Sequence, residues 1–328
     1  MDGAFSLTAG AAGCALCPRR CGARRGAGET GYCGVGAAAL VCRAAPHFGE
    51  EPCISGTRGS GAVFFAGCNL RCRFCQNREI SRGGAGQPLT VPELRALFLH
   101  LRDAGVHNLN LVTPSHYSAL LAEALRGLEL GIPVVWNSSG YETPQQLRAL
   151  EGLVQVYMPD FKYRDAALAA RCSDAPDYPE VALRAIQEMY RQTGPFQLDA
   201  EGLLQRGVLI RHLILPGAAE NTLRVIDAVE DHFPPGGVLF SLMSQYTPPG
   251  EGHTGAPEAE ETPLPPELRR RVSPEEYARC RSYLDFSALE QGYYQDLDSA
   301  GTGMIPAFDG TGLEFLRRGS RSSPGPEN

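Results

Sequence analysis

The segment Cys68-Asn69-Leu70-Arg71-Cys72-Arg73-Phe74-Cys75 places three thiols in a short run, spaced by three residues and then by two. Three thiolates can hold three corners of an iron–sulfur cubane and leave the fourth iron without a protein ligand, open to substrate or cofactor. Ferredoxin-type runs space their cysteines by two and add a fourth nearby, and a structural zinc site also needs a close fourth ligand. Here the next cysteine is the distant Cys172. The spacing therefore points to a cluster with one open iron.

A second set, Cys14, Cys17, Cys21 and Cys33, is interleaved with Pro18, Gly22, Gly31 and Gly34. Four thiolates among tight turns make a closed site, which fits structural zinc or a second iron–sulfur cluster equally well. Cys42 and Cys53 are alternative ligands. Cys172 and Cys280 read as ordinary buried thiols.

The elements that must position these residues follow from the texture of the chain. Residues 1–55 are rich in Cys, Gly, Ala and Arg with little periodicity, which predicts a small module held by metal rather than by a core. From Ala62 short apolar runs alternate with amphipathic stretches. Strands are predicted at 62–67, 108–112, 132–136, 154–158, 207–215 and 238–242. Helices are predicted at 90–103, 115–130, 144–150, 180–192 and 221–231. Six βα units imply parallel pairing, as a closed or partly closed barrel or as an open doubly wound sheet. Either architecture puts its active site at the carboxyl ends of the strands. Those ends carry Cys68 onward, Thr113-Pro114-Ser115-His116-Tyr117, Asn137-Ser138-Ser139-Gly140, Asp160-Phe161-Lys162, Pro216-Gly217 and Ser244-Gln245-Tyr246. The strand histidine His212 is expected to be a satisfied core residue. The predicted organisation is a cysteine-rich metal-binding module at 1–55, a core at 56–250 and an extension at 251–318 that packs on the core through a helix at 273–284. Residues 319–328 have the composition of a disordered tail.

Composition narrows the function classes. The net charge of −7 arises from 37 acidic and 30 basic residues mixed along the chain, which argues against a nucleic-acid or membrane-surface partner. No apolar run approaches the roughly 20 residues of a membrane span. The start, Met1 to Phe5, lacks a basic and apolar leader, so the eleven cysteines are expected in a reducing, cytoplasmic setting where they favour metal over disulfides. Lys162 is the one lysine among the 30 basic residues, a survivor in a chain that otherwise uses arginine. That marks it as a candidate for a role that a planar guanidinium cannot fill.

With Phe74 just before its last cysteine, the motif resembles the radical S-adenosylmethionine (SAM) superfamily. The continuation Cys75-Gln76-Asn77-Arg78-Glu79-Ile80 with Gly83-Gly84 is similar to the activating enzyme of pyruvate formate-lyase. Glu51-Pro52-Cys53-Ile54-Ser55-Gly56 and Arg211-His212-Leu213-Ile214-Leu215-Pro216-Gly217 resemble activating-enzyme relatives that carry an extra N-terminal cysteine module. The resemblance implies an α/β fold, a partial (β/α)6 barrel. It implies Cys68, Cys72 and Cys75 as ligands of a 4Fe-4S cluster, with Phe74 beside the adenine and Asn77 also on the cofactor side. Asn137 and Ser138 match the segment that places a monovalent cation and the methionyl carboxylate, although that family usually has aspartate in place of Asn137. Asp160 and Lys162 match residues that contact the cofactor. The superfamily's Gly-Gly-Glu, which binds the cofactor's amino group, is replaced by Thr113-Pro114-Ser115-His116-Tyr117. Either Thr113, Ser115 or His116 supplies that acceptor, or the amino group is held otherwise.

By the same resemblance the chain is a radical SAM oxidoreductase that makes a 5'-deoxyadenosyl radical for hydrogen abstraction. Its electron donor would be flavodoxin- or ferredoxin-like, and its substrate a glycine in a partner glycyl-radical enzyme. A different peptide or a small molecule is the alternative substrate. A non-catalytic iron–sulfur carrier or metal-binding adaptor would lack an open iron and would not bind S-adenosylmethionine.

Overall fold

The structure, a computed structural model, describes residues 13–249, 264–289, 291–299 and 305–319. The acidic stretch expected as a loop after Tyr246 lies mostly outside these residues, as does the tail from 320 onward.

In chain order the strands are β1 (Ala39–His47), β2 (Ser60–Phe65), β3 (Gln87–Leu89), β4 (Leu109–Val112), β5 (Val134–Ser138), β6 (Val156–Pro159), β7 (Gln197–Leu198), β8 (Leu204–Leu213), β9 (Leu239–Met243) and β10 (Gly292–Tyr294). The helices are α1 (Pro52–Ser55), α2 (Arg78–Ser81), α3 (Val91–Asp103), α4 (Ser118–Leu125), α5 (Pro144–Arg148), α6 (Ala166–Ser173), α7 (Tyr178–Thr193), α8 (Ala219–His232), α9 (Pro274–Asp285) and α10 (Glu314–Gly319).

Strands β2, β4, β5, β6, β8 and β9 lie side by side in that order, all parallel, and β10 adds a parallel edge beyond β9. The spatial order never reverses, as it would in a doubly wound sheet, so same-handed crossovers keep the helices on one face and the wall curls. That resolves the choice left by periodicity in favour of a partial barrel. Helix formation follows local chemistry. Thr90 and Glu93 form a reciprocal capping box at the start of α3, whose Leu94, Leu97, Phe98 and Leu101 recur at helical spacing and are buried. Ser273 and Glu276 repeat the device on α9.

Alternate strand residues separate two cores. Val63, Phe65, Leu111, Trp136, Tyr157 and Ile210 face the helices in the main cluster. Val135, Val156, Met158, Leu209 and Leu239 turn to the barrel interior, where Cys53 and Ile54 of α1 plug them.

Several expectations are corrected. Residues 39–47, expected inside a module without regular structure, form β1, an antiparallel strand between β2 and β3 whose Val41 and Ala44 belong to the main core. Cys42 and Cys53 each sit among apolar side chains, and burial pushes both thiols up to about 12. The helix expected at 115–130 is a short 3-10 turn followed by α4, ending at Leu125. The helix expected at 180–192 is α7, which starts at Tyr178, and a further helix, α6, precedes it. The extension reaches back to the start of the chain, with Gly310 N–H donating to Cys42 O at 2.9 Å and Ala44 N–H to Thr311 O at 3.0 Å.

Candidate active site

The three-cysteine loop leaves the carboxyl end of β2. Gly67 has φ +83°, and a Cβ there would lie 2.6 Å from Cys33 O, so only glycine lets the chain turn beneath the N-terminal segment. Cys68 and Cys72 are buried and Cys75 is partly buried. Leu70 and Arg71 N–H groups lie 3.4 and 3.5 Å from Cys68 Sγ, and Arg71 adopts φ +56° to aim its own. Arg73 N–H donates to Cys172 O at 2.9 Å, tying the loop to α6. Burial pushes the Cys68 thiol up to about 12 and raises Cys75 as well. Thiolates there need a metal centre to neutralise them, and the backbone donors suit the sulfur atoms of a cluster. Among the described residues, no three His, Cys, Asp or Glu side chains are grouped as around a single ion. A cubane does not require that grouping, because each thiolate ligates a different iron.

The other strand ends surround this loop. Lys162 Nζ lies 2.6 Å from Asp160 Oδ2 after β6. Burial would lower the ammonium, but Asp160 and the Cys72 and Cys75 thiols outweigh it, so Lys162 is held charged beside the cluster cysteines. The segment is rigidly braced. Tyr178 Oη accepts from Lys162 N–H at 2.9 Å and lies 2.7 and 2.8 Å from the Asp160 and Ser139 carbonyls. Asn221 Nδ2 donates to Lys162 O at 3.0 Å. His212 is fully buried between Phe161 O at 2.7 Å and Thr222 Oγ1 at 2.9 Å, a satisfied core histidine as expected. Gly140 has φ +71°, and a Cβ would meet Asp160 O at 2.6 Å, so glycine sets the approach of the β5 and β6 loops. Phe74 packs against Tyr163 and Tyr246 with centroids at 6.5 and 5.9 Å. Asn77 is the N-cap residue of α2, where its carbonyl accepts from Ser81 N–H at 2.9 Å and its side chain makes no capping bond.

Ser138 and Ser115 meet at a carboxylate that motif reading passed over. Glu142 is fully buried and accepts from Trp136 Nε1 at 2.6 Å, Ser115 Oγ at 2.7 Å and Ser138 Oγ at 2.8 Å. Burial raises its pKa despite the three donors. With its oxygens engaged, Glu142 braces the β4 and β5 loops together. His116 is buried with Nε2 2.8 Å from Ala66 O, so Nε2 carries the proton. Burial depresses it to about 3, and its Nδ1 is left buried without a partner. His116 thus clamps the end of β2. Thr113, at the end of β4, holds φ +59°, a strained position of the kind found at functional sites. Asn137 does not stand with Lys162. It turns inward and donates to Glu50 Oε1 at 3.2 Å.

The N-terminal cysteines dock directly on the cluster loop. Cys68 N–H donates to Cys33 O at 3.1 Å. Arg19 spreads over four carbonyls, at 2.9 Å from Asn69 O, 3.2 Å from Leu70 O, 2.7 Å from Ser173 O and 2.5 Å from Asp174 O. Arg25 donates to His116 O at 2.8 Å and Arg71 to Tyr32 O at 3.1 Å. A Cβ on Gly31 would lie 3.3 Å from both Cys21 Sγ and Cys33 Sγ, so these two thiols flank one turn. Cys14 and Cys17 belong to the same electrostatic neighbourhood.

Residues 62–195, from β2 through the cluster loop and Lys162 to the end of α7, match the family described as the Radical SAM superfamily. Over that stretch the chain is similar to that superfamily. It is 28% identical over 245 residues to an uncharacterized protein of Methanocaldococcus jannaschii, a match covering 72% of this chain and 66% of the relative. Among solved structures it is similar to Streptococcus suis SuiB bound to S-adenosylmethionine, with a TM-score of 0.45 and 10% identity, covering 70% of this chain. The chain spans about half of SuiB, 48%. A radical SAM methyltransferase from Sphaerobacter thermophilus gives a TM-score of 0.45 and 15% identity, covering 73% of this chain and 68% of that one. The matched family implies a 4Fe-4S cluster and S-adenosylmethionine. Cys68, Cys72 and Cys75 fit the first, while Lys162 and Asp160 are the charged groups suited to the second.

Proposed function

We propose that this chain reductively cleaves S-adenosylmethionine and uses the product radical to remove a hydrogen atom from a substrate, in the first instance a glycine of a partner glycyl-radical enzyme. The observation that carries the reading is the buried Lys162–Asp160 pair beside the three-cysteine loop. When bound, a reduced cluster would supply the electron and S-adenosylmethionine the sulfonium whose one-electron cleavage gives methionine and a 5'-deoxyadenosyl radical. The protein's own part is positional. Lys162 pairs with the methionyl carboxylate, Phe74 lies along the adenine, and the Glu142 brace keeps the β4 and β5 loops in place. A flavodoxin- or ferredoxin-like protein would deliver the electron. A second reading, radical chemistry on another peptide or a small molecule, is favoured by the charged layer inside the barrel described below. Cys14, Cys17, Cys21 and Cys33 are assigned a second metal centre.

Anaerobic reconstitution with iron and sulfide, followed by S-adenosylmethionine and a reductant, should yield 5'-deoxyadenosine. No product from the wild type, or equal product from Cys72→Ser, would sink the radical reading. A glycyl-radical signal in a co-expressed partner selects the activase.

A further inference from the structure

Beneath the cofactor residues the barrel interior carries a charged layer built on Glu50, Glu51, Asp160 and Arg211. Arg211 of β8 is held by Glu50 Oε2 at 2.7 Å, with Glu51 Oε1 at 3.8 Å and Asp160 Oδ1 at 3.7 Å from its Nε. Asn110 of β4 and Asn137 of β5 both donate to Glu50 Oε1, at 3.0 and 3.2 Å. The apolar plug formed by α1 with Val135, Val156, Met158 and Leu209 lies below. Asp160, paired on its other oxygen with Lys162, connects the layer to the cluster loop above. Three polar atoms of this layer are buried without a hydrogen-bond partner: Glu51 Oε2, Asn110 Oδ1 and Arg211 Nε. Asn110 is fully buried and Glu51 is 9% exposed. Such groups are costly to leave unmade, and here two acceptors and one donor share a single neighbourhood. Charge adds a direction. Three carboxylates (Glu50, Glu51, Asp160) face two cations (Arg211, Lys162), and burial depresses the nearby His47, leaving one excess negative charge.

We propose that this layer is a substrate-binding floor that takes a primary ammonium group lying next to a carbonyl oxygen, as in an α-aminoacyl group. The ammonium donates to Glu51 Oε2 and Asn110 Oδ1, and the carbonyl accepts from Arg211 Nε. The assignment rests on the reading of the barrel as a reaction chamber and names what that chamber selects. The methionyl end of the cofactor carries the same two groups. Lys162 and Asp160 separate the layer from the cluster cysteines, which places the floor on the substrate side.

The test is calorimetric titration of glycinamide into the full chain, anaerobically, with and without saturating S-adenosylmethionine. Saturable binding is expected for glycinamide and not for glycolamide, whose hydroxyl replaces the ammonium. It should persist with S-adenosylmethionine present and weaken at least about tenfold in Glu51→Gln, as expected for one lost charge-assisted contact. Equal binding of glycolamide, unchanged binding by Glu51→Gln, or displacement by S-adenosylmethionine would each overturn the proposal. Glu51 Oε2 has no protein partner, so the variant should fold, and the glycolamide arm needs no variant. Deoxyadenosine formation without amine binding would overturn the floor alone, and amine binding without deoxyadenosine would overturn cleavage alone.

Discussion

The two cysteine sets are held in opposite ways. Cys68, Cys72 and Cys75 hang from the end of a fully buried strand, with backbone donors on a thiol and a backbone bond to α6 fixing the loop. Cys14, Cys17, Cys21 and Cys33 sit in turns whose one regular element is a three-residue 3-10 helix, pinned from outside by arginines on carbonyls. The first site is preorganised by the barrel, whereas the second is held by its clamps and, in the function proposed above, by a metal. One set can therefore be lost without unfolding the domain, and the other cannot be displaced without moving the active site.

The sharpest way to break this contrast is to delete one thiol from each set. Cys75→Ala should abolish 5'-deoxyadenosine formation, a fall of about a thousandfold or more, as expected when a catalytic centre is dismantled. Cys21→Ala, or chelation of the N-terminal metal, should leave cleavage measurable but expose residues before β1 to protease while the barrel resists. Arg19→Ala should come next. Its four carbonyl contacts and its packing over Tyr32 at 4.1 Å suggest a loss of about 2–4 kcal/mol in docking the module, read as faster hydrogen exchange at Asn69 and Leu70. The smallest effect concerns pH. His116 and His212 are held neutral by burial, at about 3 and about 4, below the ordinary value near 6.5. The unfolded chain therefore binds more protons in that interval, and stability falls as pH drops from about 6.5 toward 4, by order 1–2 kcal/mol per unit in total. His116→Gln should flatten that slope by about half in denaturant titrations, and an unchanged slope would show that the joint between loop and module is not buried.

Much of this was legible from residue types. The six parallel strands announced themselves as apolar runs between amphipathic stretches, and the helices at 90–103 and 273–284 were foreseen as α3 and α9. The cysteine spacing and the lone Lys162 marked the strand ends that the fold brings together. β1 was hidden because Ala39–His47 mixes Arg, Pro and Ala and lies in a cysteine-rich stretch. α6 was hidden because its alanines carry little apolar contrast. Glu142, Glu50 and Glu51 were missed for a different reason. A carboxylate in a polar loop reads as solvated, and only tertiary burial reveals it as a brace or a recognition group. Arg211 offered one signal, a charge directly after the apolar run Val208-Leu209-Ile210.

The contact between residues 310–311 and β1 bears on synthesis. The outer edge of β1 is covered by β3 along Ala39–Val41, but at Cys42 and Ala44 it is hydrogen-bonded, among the described residues, by Gly310 and Thr311. A ribosome adding about 5–20 residues per second leaves that half-edge unpaired for roughly 13–50 s after His47 is made. During that time it is a free template for another nascent strand. The polysome is then where this chain is most exposed to mispairing, and a truncation before residue 310 should aggregate even with every cysteine in place.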